Sequence, residues 1–110
     1  MSTCIFCEIA AGRMNANIVY QDDFFIAFKD INPQAPTHIL IIPKTHYESI
    51  KDVQDEAIIG KLFTVANKVA ADLGIGSFRY VINTGSQSGQ TVFHLHLHLM
   101  GGRYMAWPPG

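Results

Sequence analysis

The stretch His94-Leu95-His96-Leu97-His98-Leu99-Met100 alternates histidine with leucine at every second position. Three of the chain's five histidines stand here. Successive side chains of a β-strand point to opposite faces. A strand therefore sets His94, His96 and His98 in one row, with neighbours roughly 6.6 Å apart. Leu95, Leu97 and Leu99 then fill the other face, as a core would require. In a helix the same spacing would scatter the imidazoles around the axis. The alternation predicts a strand over Val92–Met100 that concentrates titratable nitrogen on one surface.

The rest of the chain supplies elements for this strand to pair with and pack against. Phe6, Ile9 and Ala10 have helical spacing within Met1–Gly12, and Gly12 is a stop after one or two turns. Ile18–Gln21 and Phe24–Lys29 read as a hairpin turned at Asp22-Asp23. Two prolines make 30–37 a loop, and His38–Ile42 is an apolar, β-branched strand stopped by Pro43. Lys44–Lys51 is a connector. One long helix opens at Asp52 or Gln54. Its apolar stripe runs through Ile58, Ile59, Leu62, Phe63, Ala66, Val69, Ala70 and Leu73, and Gly74 ends it. Phe78–Asn83 is a strand, and Thr84–Gln90 is a loop rich in Gly and Ser. The order predicts a single α+β domain over residues 1–110, with a five-stranded, mostly antiparallel sheet, one long helix and a short N-terminal helix.

Composition narrows the function. At 110 residues and 48% hydrophobic, the chain suits one packed core. A net charge of −1 with no basic run leaves no electrostatic footprint for nucleic acid, although a local site can still bind one or two phosphates. No apolar run approaches the roughly 20 residues of a membrane span. No basic segment precedes the short apolar stretch that Glu8 interrupts, so a secretory signal is not expected and the chain reads as cytoplasmic.

Several groups can carry chemistry. The histidine row can be an ordinary strand face, a zinc site, or a set for covalent catalysis. In the last case one imidazole attacks phosphorus while an acceptor holds its other nitrogen, and a neighbour protonates the leaving group. The loop Asn83-Thr84-Gly85-Ser86-Gln87-Ser88-Gly89-Gln90-Thr91 can turn backbone N–H groups toward an anion, or be a plain hairpin loop. It lacks the Gly-Lys-Ser/Thr of a Walker loop. Its Gly-x-Ser-x-Gly run has no following helix to make a nucleophile elbow. Cys4-x-x-Cys7 can be a redox pair, two buried thiols, or half of a zinc site with His46 and one row histidine as the remaining candidates. The bland role of His38 is to begin a strand, and that of Asp30 is to form a turn.

Together these segments resemble a known family. His94-Leu-His96-Leu-His98-Leu-Met is similar to the signature of the histidine triad (HIT) superfamily. Asp30-Ile-Asn-Pro-Gln-Ala-Pro-Thr-His38-Ile-Leu-Ile-Ile-Pro-Lys and the closing Gly101-Gly-Arg-Tyr-Met-Ala-Trp-Pro-Pro-Gly110 resemble its Hint branch of nucleotide-binding proteins. The likeness covers essentially the whole chain.

The resemblance implies a homodimer of HIT-like fold with a purine nucleoside monophosphate site in each subunit. It implies hydrolysis of purine nucleoside 5′-phosphoramidates, and by extension aminoacyl-adenylates, with no cofactor required for catalysis. His96 would attack the α-phosphorus to form a nucleotidyl-histidine. His98 would sit on the phosphate and help protonate the leaving amine, and His94 and His38 would orient the network. Asp30, beside Ile31, would accept from the ribose hydroxyls. Phe6, Ile9 and Phe28 would line the base pocket, and Asn83, Gly89, Gln90 and Thr91 would hold phosphate oxygens. Thr91 departs from the Ser that many Hint proteins carry. Cys4 and Cys7 match a bacterial-type subset in which two Cys, the His after Pro-Lys-x and the first triad His hold structural zinc. Here those are Cys4, Cys7, His46 and His94. A competing role is a regulatory module in which nucleotide occupancy matters and turnover is incidental.

Overall fold

The computed structural model describes residues 3–110, so Met1 and Ser2 of the expected Met1–Gly12 segment lie outside the described residues. The elements in chain order are α1 (Ile5–Ala10), β1 (Ile18–Gln21), β2 (Phe25–Lys29), β3 (Thr37–Pro43), α2 (Glu56–Asp72), β4 (Phe78–Val81) and β5 (Leu97–Gly101), with 3₁₀ turns at Ile50–Asp52 and Ser86–Ser88. The strands form one sheet in the order β1-β2-β3-β5-β4, and every neighbouring pair is antiparallel. This is the α+β architecture expected from the sequence.

Register divides the sheet into two chemically distinct faces. Phe28 lies opposite Leu40, and Leu40 lies opposite His98. By period two, Ile26, Phe28, His38, Leu40, Ile42 and His98 share one face. The other face carries Phe25, Ala27, Ile39, Ile41, Leu97 and Leu99, all buried. Onto it α2 packs Leu62, Val65, Ala66, Val69 and Ala70 to make the main core. Onto the histidine face α1 packs Phe6 and Ile9, making a smaller core with Ile26, Phe28, Leu40 and Ile42. Because α1 is only 6 residues long, it covers part of that face and leaves the His38–His98 end open.

Four local expectations change. The histidine strand is shorter than Val92–Met100, since β5 begins at Leu97 and His94 sits in a bend. The β3–β5 register would set Leu95 against Pro43, which has no N–H to extend the ladder. Leu95 instead donates its N–H to Tyr47 O at 2.7 Å. The long helix starts after Asp55, whose side chain accepts from Ala57 N at 2.9 Å. Asp52 is engaged elsewhere, accepting from the N–H and hydroxyl of Ser49 in the preceding 3₁₀ turn. The strand expected over Phe78–Asn83 stops at Val81. Finally, the strand expected over Phe24–Lys29 begins at Phe25, because Phe24 belongs to the turn and donates its N–H to Asp22 Oδ1 at 2.8 Å. No helix among the described residues is long and apolar enough to cross a membrane.

Candidate active site and metal cluster

The open end of the histidine face holds a cavity of about 590 Å³. Phe6 and Ile9 of α1 and Phe28 and Leu40 of the sheet form its apolar wall. Asp30, Ile31, His38, Gly89, Thr91, His96 and His98 complete the lining expected from the sequence. Phe6 is the keystone of the wall. Its ring meets Phe28 edge-on at 5.5 Å and His96 edge-on at 5.1 Å. Ile31 is fully exposed at the mouth.

The tautomers of the site follow from its hydrogen bonds. The His94 carbonyl lies 2.8 Å from His96 Nδ1 and can only accept, so Nδ1 carries the proton and Nε2 keeps the lone pair. Burial lowers the pKa of His96, and the hydrogen bond to His94 offsets this only in part. The ring is thus neutral and nucleophilic at neutral pH. Next to it, His98 Nδ1 lies 2.9 Å from His38 Nε2. Burial, followed by the neighbouring His96 and His38, pushes the pKa of His98 down from 6.5 to about 4. Burial also lowers His38, against the pull of Asp30, whose Oδ2 lies 3.5 Å from His38 Nε2. Among the described residues, His98 Nε2 is a buried polar atom without a hydrogen-bond partner. A buried orphan nitrogen facing a cavity is poised for a ligand atom.

His94 leaves the row. Its Nε2 lies 2.8 Å from the Pro43 carbonyl, which assigns the proton to Nε2 and the lone pair to Nδ1. That Nδ1 lies 3.5 Å from the Sγ atoms of both Cys4 and Cys7, and 3.2 Å from His46 Nδ1. Cys7 Sγ lies 3.3 Å from His46 Nδ1. The four donor atoms all fall within 4.8 Å of one another. Two thiols and two imidazole nitrogens converging on one point are the donor set of a closed tetrahedral zinc site. The sheet is antiparallel throughout and offers no βαβ unit for a redox Cys-x-x-Cys, and each cysteine faces an imidazole. The reading of the three row histidines as one metal site fails on direction, because His94 turns away from His96 and His98.

Two expected phosphate contacts stand apart from the cavity lining. Gln90 is buried, and its amide nitrogen donates to the carbonyls of Glu48 (2.6 Å) and Val92 (3.2 Å). Its Oε1 accepts from Gly85 N, and its own N–H goes to Gly85 O. Gln90 therefore pins the loop and has no donor left for a phosphate. Asn83 sits behind Gly89, and a Cβ on Gly89 would lie 3.6 Å from Asn83 Nδ2. Gly89 itself has φ +96°, where a side chain is strained, and this turn brings Thr91 to the cavity. Sequence reasoning missed several lining residues, Leu40 and Gln34 among them. Leu40 was recoverable by counting register from His98. Gln34 acts through its main-chain N–H, which its residue type does not announce.

Comparison with known proteins agrees with this geometry. The family model of the HIT domain matches residues 11–105. An uncharacterized HIT-like protein of Synechocystis sp. is 54% identical, with 96% of each chain covered. The purine nucleoside phosphoramidase of Escherichia coli K12 is 47% identical, covering 90% of this chain and 87% of that one. The crystal structure of a HIT family hydrolase from Legionella pneumophila superimposes with a TM-score of 0.95 at 47% identity, covering 98% of this chain and all of the other. With the triad, the sheet order and the cavity all in agreement, the chain belongs to the HIT family, in its Hint-like branch.

Proposed function

We propose that the protein hydrolyses purine nucleoside 5′-phosphoramidates through a covalent nucleotidyl-histidine on His96. The observation that carries this is the hydrogen bond from His96 Nδ1 to the His94 carbonyl, which leaves Nε2 unprotonated on a ring lining the cavity. His96 Nε2 attacks the phosphorus, a new N–P bond forms, and the P–N bond to the amine breaks with its electron pair going to the amine. His98 Nε2–H gives its proton to the departing nitrogen, so the amine leaves neutral, and the water that attacks next returns a proton to His98. An arriving phosphate anion favours the charged imidazole and raises its proton affinity from the low value of the empty site. Water then cleaves the His96–phosphorus bond and releases the nucleoside monophosphate. Phe6, Ile9 and Phe28 take the base, and Asp30 takes the ribose hydroxyls beside Ile31. Gly89 and Thr91 border the phosphate, while Asn83 and Gln90 support their loop. The similarity to a purine nucleoside phosphoramidase supports the substrate class, and aminoacyl-adenylates share the reacting phosphorus.

Cys4, Cys7, His46 and His94 hold a structural zinc ion, which would tie α1 to the segment carrying the triad. Catalysis by His96 and His98 uses no metal. The chain acts as a cytoplasmic homodimer. The open edge of β4, with Phe78 exposed beside Tyr80, offers a surface for a second copy.

Steady-state hydrolysis of adenosine 5′-phosphoramidate by wild type and His96→Ala tests the reading. A loss of several orders of magnitude in kcat/KM is expected. Wild-type kcat/KM in the variant would remove His96 as the nucleophile.

A further inference from the structure

We propose that the main-chain N–H of Gln34, held by Arg103, sets the tautomer of His38 and thereby keeps the proton of His98 on Nε2, facing the cavity. Gln34 donates its N–H to His38 Nδ1 at 3.0 Å. A backbone N–H has only a hydrogen to offer, so Nδ1 must present its lone pair. The proton of the neutral His38 ring then sits on Nε2. From there it points to His98 Nδ1 at 2.9 Å, with Asp30 Oδ2 farther off at 3.5 Å. Both neighbours accept, so both agree with a protonated Nε2. With Nδ1 of His98 accepting, its own proton must sit on Nε2, the buried orphan atom at the cavity. One backbone donor thus assigns the proton positions of two rings in series. With His38 in the other tautomer, its Nδ1–H would face the N–H of Gln34, and its bare Nε2 would draw the proton of His98 inward.

The position of that donor depends on the C-terminal segment. Arg103 Nε donates to the Gln34 carbonyl at 2.9 Å across 69 residues of sequence, and its Nη1 reaches Tyr104 O at 3.0 Å. Gly102 has φ +92°, and a Cβ there would lie 2.9 Å from Pro36 Cβ. The tail is thus pressed against the 33–36 loop. Arg103 is exposed and lines no part of the cavity, so it acts on the site only through Gln34. Gln34 and Arg103 are positioning residues, and their catalytic consequence rests on the phosphoramidase reading above.

The test is long-range ¹H–¹⁵N NMR of the full chain labelled at histidine nitrogen. In wild type, His38 and His98 should both be Nε2–H tautomers. Gln34→Pro deletes the N–H and should move His38 toward Nδ1–H, with His98 following. Gln34→Ala keeps the N–H and should keep the wild-type tautomers. Arg103→Met, at an exposed site, should shift His38 in the same direction by less, and it carries the test if Gln34→Pro does not fold. On a phosphoramidate, kcat of Gln34→Pro should fall about tenfold or more with KM within about twofold, a fraction of what a proton donor supplies. A wild-type His38 bearing Nδ1–H, or unchanged tautomers in Gln34→Pro, overturns the proposal. Unchanged tautomers in Arg103→Met remove Arg103 from it. The tautomers are read without substrate, so failure of wild type to hydrolyse phosphoramidates would sink the reaction and leave the relay standing.

Discussion

The carbonyl oxygen of His94 accepts the Nδ1–H of His96 at 2.8 Å, while the ring of His94 points the other way, to Cys4 and Cys7. One residue therefore borders two sites. Its backbone sets the tautomer of the proposed nucleophile, and its side chain completes a Cys₂His₂ cluster.

Metal content follows from the second role. Purified protein should carry about one zinc per chain, and Cys7→Ser should lose it, as measured by elemental analysis. A metal held a thousandfold above its Kd adds about 4 kcal/mol, so chelation should lower Tm by about 15 °C. Activity of the chelated protein that survives below its new Tm would agree with metal-free chemistry at His96.

Phe6→Ala should separate binding from chemistry. The ring is buried, and it touches both His96 and the Phe28 wall. Truncation at a buried Phe costs about 3 kcal/mol or more, which calorimetry would register as a lower Tm. Because the ring lines the proposed base pocket, KM for a purine substrate should rise by a larger factor than kcat falls. An unchanged KM would place the base elsewhere.

Stability should depend on pH through the buried imidazoles. His38, His94, His96 and His98 all have lowered pKa values, with burial as the leading cause. The unfolded chain then binds more protons than the folded one between the ordinary value of 6.5 and the folded values, which for His98 is about 4. The stability these groups contribute is complete above pH 6.5 and is lost as pH falls through that window. Urea midpoints of the metal-free protein should decline from pH 7 to pH 4. A flat profile would contradict the burial of these rings.

Gly101→Ala should destabilise the sheet. A Cβ at that position would meet Ile75 Cγ2 at 2.9 Å and the Ser77 carbonyl at 3.1 Å. Since Gly101 pairs with both Thr37 and Phe78, the strain falls on β3 and β4 together. The expected cost is about 1–3 kcal/mol by chemical denaturation.

Much of this was legible in the chain itself. Period two separates histidine from leucine along 94–99, and 3.6-residue periodicity marks the apolar stripe of α2, because burial of one face imposes these patterns on local sequence. The triad, Asp30 and the Cys-x-x-Cys are short-range signatures, legible in the chain alone. What remained hidden depends on partners far apart in sequence. Pro43 ends the ladder opposite Leu95, which turns the ring of His94 out of the row and toward the cysteines 87 and 90 residues away. Gln90 has the residue type of a phosphate ligand, yet the backbone carbonyls of Glu48 and Val92 occupy its amide. Gln34 matters for a main-chain N–H, which every residue except proline has. Residue types and the alternation of their faces are written in the local chain. Which lone pair each imidazole exposes is a property of the fold, because a tautomer is set by the donor or acceptor that folding brings against the other nitrogen.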